Sequence, residues 1–211
     1  MSSQQPTDEP VYEDRVYRST MGVVSGVLLL ALTAWLCGDA VLRGSGNTPW
    51  IALAVALCAV PLIVAFTIRP AVFANDDRMR VRNPFRIIEL PWAAVDAVRA
   101  GYSAEVLAEG SKYQLWSVPV SLRERKKANR QRLRHDGLRD REQRSPGEKV
   151  RVPAEPMRAS ADRIVDELQR LAERGAERAG AQGGVRVQWS YEIIAPAVAG
   201  GLLLIVLLAV R

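Results

Sequence analysis

Three long stretches without a single charged side chain constrain this chain more than any other feature. Ser19 to Gly38, Trp50 to Ile68 and Ile193 to Val210 run for 20, 19 and 18 residues and are rich in Val, Leu and Ala. At about 1.5 Å per helical residue, each is long enough to cross a hydrocarbon core of about 30 Å. One such run could hide inside a soluble core; three in 211 residues point to three spans, expected over residues 19–41, 50–68 and 193–210. The first is too long for a signal-peptide core and starts behind an 18-residue polar leader, expected to be disordered over 1–18. The short segment Arg43 to Pro49 makes the first two spans a helical hairpin. Pro61 is expected to kink the second span, and Pro196 to sit in the first turn of the third, where its missing N–H is tolerated. Trp50, Trp189 and Tyr191 lie at span ends, where amphipathic rings favour the interface.

Orientation follows from the basic residues beside the spans. Arg15 and Arg18 precede the first, Arg69, Arg78, Arg80, Arg82 and Arg86 follow the second, and Arg174, Arg178 and Arg186 precede the third. The hairpin loop has only Arg43 and the far end only Arg211. The positive-inside bias therefore places the N-terminus and residues 69–192 in the cytoplasm, in a multi-pass protein of the inner (plasma) membrane. Cys37 and Cys58 lie at different depths and are expected to be free thiols. Asp39 lies at an outer edge within reach of water, and no span carries a chain of ionisable groups, so a pump or transporter is disfavoured.

Mean hydropathy near zero (−0.03) hides this division. Residues 69–192 carry 25 of the 29 basic and 18 of the 23 acidic residues, and 25 of the 29 basic residues in the chain are arginine. Within 70–118 the pattern turns to strands. Arg78-Met79-Arg80-Val81-Arg82 alternates with period 2, the mark of a half-buried strand. Asn75-Asp76-Asp77 and Asn83-Pro84-Phe85 read as turns, and Gly110-Ser111 as a two-residue hairpin turn between Ser103–Glu109 and Lys112–Val118. Five or six strands in about fifty residues suggest a small antiparallel sandwich or barrel. From 159 to 178 the period becomes helical: Ala161, Ile164, Val165, Leu168, Leu171 and Ala172 form one apolar stripe, with Ser160 as N-cap and Asp162 in the first turn. Such a helix would cover the open end of the barrel. Residues 179–192 read as a glycine-rich linker.

Between 119 and 153 the periodicity fails. Ten basic residues, among them Arg123, Arg125, Lys126, Lys127, Arg130, Arg132 and Arg134, crowd into positions 123–144 against four acidic ones. So few apolar residues cannot bury enough surface to order the segment. It reads either as a surface for anionic lipid headgroups at the inner leaflet, worth about 1 kcal/mol per nearby basic residue, or as a solvated linker. Nucleic acid is a poorer partner, because no aromatic side chains are interleaved for base stacking.

A resemblance enters on particular residues. Arg69-Pro70-x-Val72, then Val81-Arg82-Asn83-Pro84-Phe85-Arg86, then Leu90-Pro91-Trp92 with Val95 and Val98, and then Leu115-Trp116 resemble the bacterial PH-like (pleckstrin-homology-like) domains of small actinobacterial membrane proteins. The resemblance implies an α+β membrane protein in which a seven-stranded half barrel is capped by the 159–178 helix. Lys149–Val152 is then a candidate seventh strand. It brings no shared catalytic residues, and Arg82, Asn83, Pro84, Arg86, Pro91 and Trp92 are structural motif positions.

Catalytic signatures do not assemble. His135 is the sole histidine and has no cysteine or second histidine near it; there is no phosphate loop and no nucleophile elbow. No residues suggest a metal or a cofactor. Asp76-Asp77 reads as turn, Arg82-Asn83-Pro84 as turn chemistry, and Trp92 and Trp116 as core anchors. The expected role is non-catalytic binding or scaffolding at the inner leaflet, with anionic lipid or a membrane protein as partner and with sheet edges open to a peptide strand. The alternative is a structural subunit of a transport or envelope-assembly complex. Gly22 and Gly26 form a GxxxG-type pair that permits close helix contact, within the chain or between copies.

Overall fold

The structure, a computed structural model, describes residues 14–101, 103–118 and 160–210. Eight strands and four α-helices are described: β1 (Arg15–Tyr17), α1 (Thr20–Arg43), α2 (Thr48–Ile63), β2 (Ala71–Ala74), β3 (Arg78–Arg82), β4 (Arg86–Pro91), β5 (Val95–Ala100), β6 (Ala104–Ala108), β7 (Ser111–Gln114), α3 (Ser160–Gly175), β8 (Arg186–Trp189) and α4 (Tyr191–Ala209). A π-helical turn, Val64–Ile68, prolongs α2. Three helical stretches, Thr20–Arg43, Thr48–Ile68 and Tyr191–Ala209, are long and apolar enough to cross a membrane.

Alternation drives the sheet. In β3 the three arginines point outward while Met79 and Val81 are fully buried, so the strand must lie on a core. All pairings are antiparallel, in two sheets ordered β1-β2-β3-β4-β8 and β5-β6-β7. Between them lie Val72, Met79, Val81, Ile88, Leu90, Trp92, Val106 and Leu115, closed off by α3 through Val165, Leu168, Leu171 and Ala172. The apolar stripe expected on this helix is the one that packs, and Gln169 adds a bond that the stripe does not foretell: its Oε1 accepts the Val98 N–H of β5 at 2.7 Å. Gly175 lets the end of α3 close on Trp92, for a Cβ there would lie 2.5 Å from the indole Cδ1.

Several expectations need correction. The leader is not wholly without structure, because Arg15–Tyr17 is an edge strand paired with β2. Residues 179–192 are more than a linker, because β8 within them pairs with β4 and closes the opposite edge. These two strands complete the sheet, whereas the expected seventh strand, Lys149–Val152, lies outside the described residues. The β6–β7 turn is centred on Glu109-Gly110, one residue earlier than expected, with φ of 49° and 71°. Positive φ at both positions is the two-residue turn whose twist matches a hairpin. Ser160 is the first helical residue of α3, and the helix ends at Gly175.

The helices differ in detail too. α1 continues to Arg43, where Asp39 forms an i,i+4 ion pair at 3.2 Å. The α-helix runs through Pro61 to Ile63 before the π turn takes over, with Arg69 N–H bonding Val64 O at 2.9 Å. α4 begins two residues earlier than expected, so Pro196 falls in its second turn. Its Gly200 packs on the α2 backbone, where a Cβ would lie 2.5 Å from the Cys58 nitrogen. Gly22 and Gly26 face the π turn of the same chain, with the Gly26 position pressed against Thr67. The glycine pair therefore serves a contact within the chain. Both cysteines are free, as expected.

Candidate functional site

The three apolar helices reach the β domain at one end. Only Arg18 and Ser19 separate β1 from α1, Arg69 and Pro70 separate the π turn from β2, and Ser190 alone separates β8 from α4. At the far end of the bundle the α1–α2 loop meets the end of α4, where Asn47 Nδ2 donates to Leu207 O at 3.4 Å. The β domain therefore lies wholly on one side of the three helices.

Antiparallel register sorts the residues between this junction end and the distal end. Arg82 pairs with Ala71 and Ile87, which puts it in the row nearest the helices, with Arg18 one residue beyond Tyr17 of β1. Phe73 and Arg80 pair in the next row of the same outward face. The guanidinium carbons of Arg80, Arg82 and Arg18 lie 4.9, 5.8 and 5.9 Å from the centre of the Phe73 ring, within cation–π range. Arg69 approaches from below: it pairs with Glu192 at 3.1 Å and donates to Ser190 Oγ. Burial, followed by the neighbouring charges of Arg69, Arg18 and Arg80, pushes the Arg82 pKa below the usual arginine value, with Glu192 acting the other way. Beyond Phe73, towards the distal end, the face opens into a concavity of about 220 Å³ lined by Asp14, Phe73, Asn75, Arg78, Arg80 and Glu89.

The junction end also carries an aromatic cluster. Phe66 of the π turn meets Phe85 and Trp116 edge-on at 5.3 and 5.6 Å between ring centres. Trp116, expected as a core anchor, is instead 45% exposed here, because the chain leaving β7 runs out towards the helices. Trp189 and Tyr191 stand exposed at the same end, whereas Trp50, also exposed, opens α2 at the far end. The aromatics expected at span ends thus stand at opposite ends of the bundle, Trp189 and Tyr191 at the junction and Trp50 at the far end.

The motif positions divide between the two ends. Asn83, in the β3–β4 turn, is buried; its N–H bonds Arg86 O at 2.9 Å, and its Nδ2 donates to Gln114 O at 2.9 Å, so it ties the turn to the end of β7. Pro84 is buried beside it, and Arg86 opens β4 opposite Trp189. Pro91 and Trp92 are distal. Trp92 is fully buried, and its indole N–H donates to Asn75 O at 2.9 Å. Asn75 Oδ1 in turn accepts the N–H groups of Asp77 and Arg78, so the Asn75-Asp76-Asp77 segment is a turn, as expected. The basic positions Arg123, Arg125, Lys126, Lys127, Arg130, Arg132 and Arg134 lie outside the described residues, as does His135. Among the described residues no group of His, Cys, Asp or Glu side chains gathers to hold a metal.

Sequence reasoning did not find the arginine cluster around Phe73. It joins residues from β1, β2 and β3 with the end of the second span. The alternation of β3 was the only local signal, and the pairing of β1 could not be read without its partner strand.

A family model described as Bacterial PH domain matches residues 69–174, half of the chain. No curated protein and no solved structure matches. The match takes in β2 to β7 and nearly all of α3, and leaves β1 and β8 outside it.

Proposed function

From the premise that the chain belongs to the bacterial PH domain family, we propose that it is a non-catalytic, membrane-anchored module that presents its β domain at the inner leaflet for binding or scaffolding. The observation that carries this reading is the shared junction end. All three apolar helices enter the domain there, within a collar of Arg18, Arg69, Arg82, Trp116, Trp189 and Tyr191. Arginine and interfacial aromatics are the side chains suited to the headgroup layer.

The basic segment supports the same reading through its points of attachment. Trp116 touches Phe66 at the junction, two residues before the described chain breaks off at Val118. α3 ends distally against Trp92, passes Val98 through Gln169, and so begins nearer the junction. The described chain therefore breaks off at Val118 and resumes at Ser160 towards the helix side, which favours anionic headgroups as the partner of the intervening basic positions. PH-like folds bind lipids or proteins, and fold alone does not choose between them; the collar and the basic segment favour lipid.

The test is hydrogen exchange of the full chain in nanodiscs of neutral or anionic lipid over a salt series. Salt-sensitive protection of junction-end amides and of 119–159 in anionic discs is the expected result. Identical exchange in both discs would reject the lipid reading and leave a protein partner, to be sought by crosslinking. A reporter fused after Val118 tests orientation: activity only on the outer side would overturn the inner-leaflet placement.

A further inference from the structure

We propose that Arg18, Arg80 and Arg82, arranged around Phe73 on the outward face of β1-β2-β3, form a binding site for the phosphate of an anionic lipid headgroup. The proposal rests on the inner-leaflet reading above and deepens it, because it moves the specific contact from the basic segment to the sheet itself.

The first argument is charge. Four guanidiniums converge here: Arg18, Arg69, Arg80 and Arg82. Among the described residues two carboxylates answer them, Glu192 at 3.1 Å from Arg69 and Asp14 at 3.7 Å from Arg80. Glu89 also stands opposite Arg80 in the register, so Arg69 and Arg80 are answered and the excess falls on Arg18 and Arg82, neither of which has a described carboxylate within 4 Å. Like charges held this close are costly unless an anion joins them. The Arg82 Nε is buried with no hydrogen-bond partner among the described residues, so the guanidinium keeps a donor that a ligand oxygen can take.

The second argument is preorganisation. Phe73 stands among the three guanidiniums, and cross-strand pairing fixes Arg80 opposite it. A planar guanidinium offers paired donors matched to phosphate oxygens, which a flexible ammonium does not.

The third argument is depth, and it selects a lipid over a free anion. Arg18 immediately precedes Ser19, whose side chain caps α1 by accepting the Gly22 N–H at 3.1 Å. The site therefore lies level with the start of a membrane-length helix. Below Arg18, at helical spacing, α1 exposes Met21, Val24 and Leu28. A phosphate held by Arg18 and Arg82 would let its acyl chains run down this stripe, and a free phosphate gains nothing from it.

The experiment is native mass spectrometry of the full chain in detergent, titrated with phosphatidylglycerol and phosphatidylcholine of identical acyl chains. Wild type is expected to retain phosphatidylglycerol preferentially, and R18Q/R82Q to lose that preference by roughly tenfold, the loss expected for charge-assisted bonds to a headgroup. R18Q alone changes an exposed side chain, so it reports even if the double variant folds poorly, and it should lose part of the preference. A variant with Arg123, Arg125, Lys126, Lys127, Arg130, Arg132 and Arg134 changed to Gln should keep most of it. Preference that survives R18Q and R18Q/R82Q but vanishes with the basic-segment variant would overturn this site and leave the inner-leaflet reading standing. A wild type with no preference would overturn both this site and the lipid reading, and leave a protein partner. Inorganic phosphate, compared with chloride at equal ionic strength, should not displace phosphatidylglycerol; displacement would make this a free-anion site and overturn the lipid assignment.

Discussion

Removing the Glu192 carboxylate probes the electrostatics of the junction most directly. Glu192 is the only described carboxylate within 4 Å of Arg69, whose side chain is 9% exposed against 64% for Glu192. The pair is thus half-screened. Two unit charges about 4 Å apart gain about 1 kcal/mol in water and about 4 at an effective dielectric of about 20. Measured exposed pairs fall at about 0.2–1 kcal/mol, and the exposed partner argues for that end of the range. Glu192 also lies in the first turn of α4, where a carboxylate gains about 0.3–1 kcal/mol from the helix dipole. E192Q should therefore cost about 0.5–2 kcal/mol, a fall in Tm of about 1–8 °C at about 2–4 °C per kcal/mol for a chain of this size. In neutral nanodiscs the whole loss should appear. In anionic discs part of it should be recovered, because the substitution removes one negative charge from the arginine cluster and strengthens the hold on a headgroup phosphate. Differential scanning fluorimetry in the two disc types measures both numbers. An equal loss in the two would refute the idea that the junction arginines take their missing counter-charge from lipid.

Three further outcomes are expected. W92A removes a fully buried indole and its 2.9 Å bond to Asn75 O, and should cost about 3–5 kcal/mol, read by denaturant unfolding; a loss under about 1 kcal/mol would contradict the distal core. G26V drives a side chain into Thr67 and should cost about 1–3 kcal/mol without changing the oligomeric state in sedimentation; an altered oligomer at unchanged stability would return the glycine pair to contacts between copies. Burial pushes the Tyr17 pKa up to about 12, with Glu167 adding to the shift, so the folded state keeps a proton that the unfolded chain releases near pH 10. This raised pKa contributes stability below about pH 10 that is lost as pH rises from about 10 to about 12, and Y17F should flatten the decline over that window; an ultraviolet difference titration placing Tyr17 near pH 10 would remove the basis for it.

The parts of the fold legible in the sequence were those set by local period. Uncharged runs announced the three long helices, period 2 announced β3, and the 3.6 stripe from Ala161 to Ala172 announced α3 together with the face it buries. Where a partner decided the structure, the local signal failed. Arg15–Tyr17 and Arg186–Trp189 are only three and four residues long and mostly exposed, and only pairing with β2 and β4 makes them strands. Trp116 has a core residue's composition but stands at the junction because Asn83 and Phe66 hold that stretch against the helices. The Glu109-Gly110 turn was missed by one residue because glycine was taken as its first position, and Glu109 adopts the left-handed backbone while its Oε1 accepts the Val185 N–H at 3.2 Å. The arginine cluster failed for the same reason: its members are far apart in sequence and meet only through sheet register.

The two strands that local reading missed also bear on how the module works. β1 and β8 lie outside the family match, form both edges of the five-stranded sheet, and run into α1 and α4 with at most two residues between. Open edges invite pairing with other chains; here both edge strands are held by the helices that follow directly on them. With β2 joined to the second span by Arg69-Pro70, the sheet has three short attachments at one end, too short to let it tilt freely. A tethered site meets its ligand at an effective concentration set by the tether, so weak intrinsic affinity is enough. A PH-like domain that must find a membrane from solution needs a tight headgroup pocket. On the reading proposed here, one held at headgroup depth by three spans needs only a cationic face, and the outward side of β1-β2-β3 would serve as that face.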